Sequence, residues 1–429
     1  MVHSPASGRP PIPSPAAHDA IISMFANQAD WLIRNVSGAV HPPAWAPPLN
    51  AEDLVLAGSH GVAITPPEPD AIDAGLDWLG TTGSSEVLVW SAATNADANI
   101  HLLGRGCRDS FNPRWMWRDL EHPLPAPRVE TDVDLMVATE RDRDALLLTA
   151  TVPYVARNQI SRILDLATDP RHPRRTWLLI ARQKRRFSDG EVIGAGILHL
   201  GPDGHDTTAG LYNLGVDPAW QGKGIGTALT IGICRIARDN GASRVALNAT
   251  PSGERIYRQL DFVIAGDGQT WFMPGSILRH RPSHAEIAAA EAIARGEVDR
   301  LDSSIARWES LPNGESPIGY AARFGRPETI RWLLDHGADP DIAPMWSAGF
   351  RAEAIRAASD GRWLNMPRGP ESRTPLHEAI CGNDPDLVRM LLAAEADLTI
   401  RDSQWHGRPL EWANALGHPD LAALIEQAM

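Results

Sequence analysis

The chain has 429 residues, 43% of them hydrophobic and 22% charged, with a formal net charge of -13. That length holds two or three domains with real cores, and the acidic balance excludes a general nucleic-acid surface, which would be basic. Three dispersed cysteines, Cys107, Cys234 and Cys381, exclude a disulfide framework and a cysteine zinc site, and no apolar run of 18 residues is present to span a membrane.

The cysteine usage points to a reducing, cytoplasmic compartment with no metal. Residues 1–15, rich in Pro and Ser and without a signal-peptide pattern, are expected to be a disordered tail. Residues 16–125 form a first lobe: a helix at "AAHDAIISMFANQADWLIRN", a Pro-rich "HPPAWAPPLN", a short helix at "PDAIDAGLDWL" and a strand at "SEVLVWSA". A helix at "ADANIHLLGRG" and the Trp-rich "FNPRWMWRDL" close that lobe, and "EHPLPAPRVE" reads as a linker. Residues 129–278 then alternate strand and helix signals. The strands are "VDLMVAT", "TWLLIAR", "EVIGAGILHLG", "LYNLGV", "SRVALNAT", "FVIAG" and "TWFM". This is an α/β order, a mixed sheet with flanking helices.

Within it, "DPAWQGKGIGTAL" joins a strand ending near Val216 to a long helix. The amides at a helix start lack intrahelical acceptors and suit an anion. Gly222, Gly224 and Gly226 admit close backbone approach, and Lys223 adds positive charge. A Walker A loop fails, since Asp217 stands where its first Gly belongs and Gly224 follows Lys223. A dinucleotide fingerprint fails because Thr227 occupies its last Gly position. Spacing alone leaves a phosphate cradle or a plain helix start with glycines serving the turn.

From residue 283 to 429 strand signals vanish and short helices take over. "SPIGYAARFGRPETIRWLLDHGADPD", "TPLHEAICGNDPDLVRMLLAAEADLT" and "RPLEWANALGHPDLAALIEQ" share one grammar, the last two 34 residues apart. The TPLHEA at Thr374 makes these segments resemble ankyrin repeats, an all-α array. "FRAEAIRAASDGRW" is read as an irregular unit and "SHAEIAAAEAIARGEVDRLDSSI" as an N-terminal cap.

The loop with its flanks, Val216, Pro218, Gln221, Gly224 and Gly226, resembles the acetyl-coenzyme A loop of the GNAT acetyltransferase superfamily, V-x-P-x-x-[QR]-x-x-G-x-[GA]. "GERIYRQLDF" resembles the superfamily's second element, with Gly253, Tyr257 and Phe262 matching and Asp261 replacing a Gly. The resemblance covers about residues 131–275, and implies that the first lobe is a degenerate copy of the same fold, a two-lobed arrangement. It also implies acetyl-CoA as cosubstrate. Its pyrophosphate would lie on the amides of Gln221, Gly222, Lys223, Gly224, Ile225, Gly226 and Thr227, and its arm along Leu214, Gly215 and Val216. The amide of Leu214 would serve as oxyanion donor, Tyr257 as proton donor to the leaving thiolate, and Tyr212 would line the reaction site.

The usual strand glutamate is missing; His199 and His205 are nearby imidazoles without an assigned role. Trp115, Trp117, Trp90 and Trp271 are candidates for the acceptor wall. The implied activity is N-acetylation of a small-molecule amine by direct attack in a ternary complex, in metabolite modification or antibiotic self-resistance. Two alternatives stand beside it: a protein lysine or N-terminal acetyltransferase docked through the repeats, and a non-catalytic acyl-CoA-binding protein. The repeats themselves suit a protein partner or self-association.

Overall fold

The computed structural model describes residues 15–35, 39–41, 53–91, 95–112, 114–129, 132–155, 157–168, 174–184, 190–201 and 208–429. Residues 1–14 of the tail expected at 1–15, most of "HPPAWAPPLN" and His205 lie outside the described residues, and Pro15 begins α1. In chain order the elements begin with α1 (Pro15–Asn35), β1 (Ala39–His41), β2 (Leu54–Gly58), β3 (Gly61–Thr65), α2 (Pro69–Thr81) and β4 (Glu86–Ser91). Next come α3 (Ala96–Gly104), β5 (Arg108–Asp109), β6 (Arg114–Asp119), β7 (Val133–Val137), α4 (Arg143–Leu148) and α5 (Arg157–Thr168). Then follow β8 (Thr176–Gln183), β9 (Val192–Leu200), β10 (Thr208–Val216), α6 (Ile225–Asp239), β11 (Arg244–Ala249) and α7 (Pro251–Gln259). The strands end with β12 (Val263–Asp267) and β13 (Gln269–Pro274), before α8 (Gly275–Arg279). Helices alone remain: α9 (His284–Arg295), α10 (Pro317–Arg323), α11 (Pro327–Asp335), α12 (Ile342–Ser347), α13 (Arg351–Ser359), α14 (Pro375–Cys381), α15 (Pro385–Ala393), α16 (Pro409–Ala415) and α17 (Pro419–Gln427).

Two compact units result. One joins Ala96–Arg108 to Arg279–Met429, and the other joins the described residues before 96 to Asp109–Leu278.

The second unit is built on two mixed sheets, ordered β1-β3-β2-β4-β13-β5 and β12-β6-β11-β10-β9-β8-β7. Strands on either side of the proline-rich 121–127 segment exchange. β6 precedes that segment yet lies between β11 and β12, and β13 follows it yet pairs with β4. The boundary expected at 125–129 thus runs through both sheets. β8 reads as a continuous apolar run because both its faces are covered. Trp177, Leu179 and Ala181 pack in the core that holds Leu229, Ile233 and Ala237 of α6, while Leu178 and Ile180 pack in the core that holds Ile160, Ile163 and Leu164 of α5. Helix α5 was not anticipated in the sequence, although those three apolar positions have helical spacing. Helix α1 joins residues of both sheets in one cluster: Ile21, Met24, Phe25 and Ala29 with Val55, Val62, Trp115 and Ala246.

In the first unit, paired helices repeat. The helices of three pairs begin with proline, at Pro317, Pro327, Pro375, Pro385, Pro409 and Pro419, whereas α12 and α13 do not. Helix α12 begins at Ile342, 25 residues after α10, whereas the next two steps are 33 and 34 residues long, so the irregularity lies in a shortened first step. The histidine of TPLH has a structural task. The Nδ1 of His377 accepts from the Thr374 amide at 3.3 Å and from its hydroxyl at 2.8 Å, and Nε2 donates to the Gly407 carbonyl of the following repeat at 3.1 Å. Helix α3, read as part of the first lobe, belongs to this unit. It packs on α9 through the His101–Glu291 pair at 2.9 Å and the Asp97–Arg295 pair at 3.2 Å.

Candidate active site

Strand β10 is where the sheet opens. It pairs in parallel with β11 only from Thr208↔Arg244 to Leu211↔Leu247. Beyond that point β10 runs on to Val216, and its pairing with β9 shifts register between Tyr212 and Gly215. Asn213, in the left-handed region at φ 49°, makes this bulge. The carbonyl of Pro153 lies over Gly215, 1.8 Å from where a Cβ would stand, so only glycine fits beneath that loop. Among the described residues, β10 has no ladder partner on β11 beyond Leu211, so residues 212–216 diverge from that strand.

The helix mouth stands at the end of the same strand. Gly224 caps α6 at φ 81° with no side-chain cap, and the first helical hydrogen bond runs from Ala228 N–H to Gly224 O at 3.0 Å. The amides of Ile225, Gly226 and Thr227 precede that bond and point out of the helix. Gly222 also has positive φ, 77°, and a Cβ there would meet nothing within 4 Å, so the loop's outer side is open. A Cβ on Gly224 would stand 2.2 Å from the Arg128 carbonyl. Around Gly226 three elements meet: a Cβ there would lie 3.4 Å from Ile256 of α7, 3.7 Å from Val216 and 4.0 Å from Leu214. The rest of the loop is held by its own polar groups. Asp217 accepts from the Ala219 amide at 2.8 Å and from the Thr151 hydroxyl, and the Gln221 amide group donates to the Val216 carbonyl at 3.0 Å. Lys223 lies over the Trp220 ring at 4.4 Å, its ammonium at the rim of the loop. Open amides, a glycine cradle and a rim cation are the donor set a pyrophosphate needs.

Tyr257 is 8% exposed, packed against Phe262 with ring centroids 5.6 Å apart in the core shared with Val216 and Ile225. Burial, with a smaller contribution from the neighbouring Cys234, raises its phenol above the usual range. It therefore stays protonated at any physiological pH and is able to donate. Burial also pushes the thiols of Cys107, Cys234 and Cys381 up to about 12, so the structure supplies no thiolate nucleophile.

On the α1 side, Tyr212 stacks on Trp31 with centroids 5.0 Å apart and donates its hydroxyl to Asn27 Oδ1 at 2.6 Å. Burial, and then the charge of Asp30, hold its phenol far above the ordinary range. His199 is fully buried; its Nε2–H donates to Asp30 at 2.8 Å and its Nδ1 accepts from Thr176 at 2.8 Å. Burial lowers the His199 imidazole below its usual value. For Asp30, burial works upward, but the hydrogen bond from His199 and the charges of Arg175 and Arg34 outweigh it and keep the carboxylate ionised. The imidazole is thus spent on locking α1 to the sheet and has no surface to present to an acceptor.

A small cavity opens at the fork, lined by Met24, Asn27, Gln28, Trp115, Gly210, Tyr212, Ala246, Leu247 and Asn248. Of the expected aromatic wall, Trp115 is there. Trp117 lies instead under the Arg244 guanidinium at 5.4 Å, and Trp271 is fully buried in β13 of the other sheet. Asn27, Gln28 and Asn248 were not singled out in the sequence; nothing marks a polar residue on an amphipathic helix as facing a strand until the two are packed.

Comparisons with known proteins agree with this arrangement. Residues 145–262 match the model of the acetyltransferase (GNAT) family, and residues 313–342 and 371–403 match ankyrin repeats. Glucosamine 6-phosphate N-acetyltransferase of Trypanosoma brucei brucei is 29% identical over 139 residues, covering 30% of this chain and 89% of that protein. Diacylglycerol kinase iota of Rattus norvegicus is 28% identical over 159 residues, 36% of this chain, and the chain spans only 13% of the kinase's length. Among solved structures, a GCN5-related N-acetyltransferase from Kribbella flavida is similar over 61% of this chain and 99% of its own, at 16% identity and a TM-score of 0.40.

Proposed function

For a chain that carries a GNAT acetyltransferase domain followed by ankyrin repeats, we propose that it transfers the acetyl group of acetyl-CoA to an amine of a small molecule. The observation that carries this reading is the coincidence, at the end of β10, of an uncapped helix mouth and a fork in the sheet. The first is an anion site; the second is a slot beside it. Acetyl-CoA supplies an activated thioester.

The chain's own residues do the rest. The amides of Ile225, Gly226 and Thr227, with Gly222 and Gly224 giving access and Lys223 at the rim, hold the pyrophosphate. Leu214 and Val216 line the slot, and the Leu214 amide stabilises negative charge developing on the carbonyl oxygen, a contribution of about 3 kcal/mol for such donors. Tyr257 donates its proton to the departing sulfur, and attack by the amine is direct, since burial raises all three thiols to about 12 and leaves none of them a ready thiolate.

Calorimetry with acetyl-CoA followed by a thiol-release assay over an amine library tests this reading. Binding with turnover is expected; absence of binding overturns the reading. Tyr257→Phe is expected to lower kcat about a hundredfold with the affinity for acetyl-CoA unchanged.

A further inference from the structure

The cavity at the fork has a feature with chemical consequences: none of its lining residues carries a charge. Its polar groups are three amides, a phenol and the Trp115 indole N–H, which is buried and without a hydrogen-bond partner among the described residues. Asn27 is used up: Oδ1 accepts from Tyr212, and the Nδ2 hydrogens go to the carbonyls of His199 at 3.1 Å and Thr208 at 2.9 Å. Asn248 donates from Nδ2 to Gln28 Oε1 at 3.4 Å, which leaves Asn248 Oδ1 buried and without a hydrogen-bond partner among the described residues. Such an orphan acceptor costs stability unless a ligand serves it.

The charges packed around the cavity are engaged elsewhere. On α1, Asp30 is paired with Arg34 at 3.1 Å, Arg175 at 3.2 Å and His199 at 2.8 Å. On β6, Arg114 is paired with Glu254 at 3.2 Å and Asp267 at 3.0 Å. On β11, Arg244 lies over Trp117. Room is tight: a Cβ on Gly210 would stand 2.2 Å from Asn27 Oδ1 and 2.4 Å from the Tyr212 ring. The cavity, about 10 Å³, fits one water-sized group, the size of an amino group.

Resting on the acetyl-transfer reading, we propose that this cavity receives the acceptor nitrogen as the free base, and that the acceptor is therefore a weakly basic, uncharged amine whose N–H donates to Asn248 Oδ1. A pocket whose lining holds no carboxylate disfavours an ammonium ion. It also makes a strand glutamate unnecessary, because the nitrogen arrives with its lone pair free. In the transfer one C–N bond and one S–H bond form, while one N–H bond and one C–S bond break. Tyr257 gives its proton to sulfur and regains one from the nitrogen through solvent, so the balance closes without a further reactant. The lining offers no cation, so a phosphate on the acceptor gains nothing from this cavity.

The test uses the full chain and two matched pairs: an arylamine against a benzylic amine, and glucosamine against glucosamine 6-phosphate. At pH 7 an alkylamine of lysine-like basicity is free base in only about one molecule in 2,500. The expected result is a preference for the arylamine at pH 7, with its kcat/KM flat between pH 6 and 9. The benzylic amine should gain about tenfold per pH unit over that range, and the sugar should be preferred without its phosphate. Asn248→Asp should lower the KM of the benzylic amine and slow the arylamine; if that variant does not fold, the wild-type profiles decide alone. A flat profile with the benzylic amine preferred at pH 7, or preference for the phosphorylated sugar, overturns the proposal. So does acetyl-CoA binding with no weakly basic amine turned over, a result that leaves the coenzyme reading intact, whereas absence of acetyl-CoA binding sinks that reading first.

Discussion

The start of α6 and the starts of α10, α14 and α15 in the repeat unit are treated in opposite ways. In the repeat unit, α14 opens with Thr374, whose side chain caps the first turn, and Pro375, which has no amide hydrogen to satisfy. At α10 the Ser316 hydroxyl accepts from the Gly319 amide at 2.9 Å, and at α15 Asp384 accepts from the amides of Asp386 and Leu387. These mouths are closed by the chain itself. At α6 the cap is Gly224, which has no side chain to offer, and no proline follows. A helix capped by glycine gives up roughly a few tenths of a kcal/mol of capping and keeps the site open for an anion. The same backbone physics thus serves stability in one region and binding in the other.

That contrast can be broken at either end. The largest effect is expected at Gly224→Val. A β-branched residue at φ 81°, with its Cβ 2.2 Å from the Arg128 carbonyl, adds steric overlap to a left-handed strain of about 1–2 kcal/mol. Affinity for acetyl-CoA should fall about a hundredfold or more, read by calorimetry, while thermal unfolding of the repeat unit stays put. Thr374→Ala makes the reciprocal change: about 1 kcal/mol less stability in thermal or urea unfolding of the repeats, with acetyl-CoA affinity untouched. A loss of affinity there would show that the two units are not energetically separate.

A smaller, pH-dependent effect comes from the lock beneath α1. The buried His199 has its imidazole lowered below the unfolded value, so the unfolded chain binds more protons as the pH falls through about 6.5. The stability tied to neutral His199 is therefore complete above that pH. It declines below it, until the folded imidazole also titrates. Denaturant titrations between pH 8 and 5 should show this slope, and His199→Gln should remove it. Lys223→Ala should be the mildest change, weakening acetyl-CoA binding about two- to fivefold in low salt and less as salt rises, because an exposed rim cation is screened.

Much of the site was legible in the sequence because it is local. Val216 through Thr227 form one strand end, one turn and one helix start, and glycine, proline and lysine at fixed offsets specify them without help from distant residues. The TPLH grammar is equally local, though its bond to Gly407 shows why the histidine is there. Tyr257 was named from the resemblance of "GERIYRQLDF" to the superfamily's second element, and it lies on the short helix α7. The acceptor side was not legible. Trp115 was picked out with Trp117 and Trp271 as one aromatic wall, yet only Trp115 reaches the fork.

What the sequence determined by itself, then, is every feature whose cause lies within about a dozen residues: the glycine-rich turn before α6, the alternation of strand and helix, the repeated helix pairs. Tertiary structure alone decided that β6 and β13 exchange between sheets, that α3 packs on α9, and that Asn27 and Asp30 reach Tyr212 and His199. Those outcomes depend on pairing between segments as much as 198 positions apart. Each is selected by which apolar faces and which buried polar groups can be satisfied together, and a contact of that kind leaves no periodic trace in either segment.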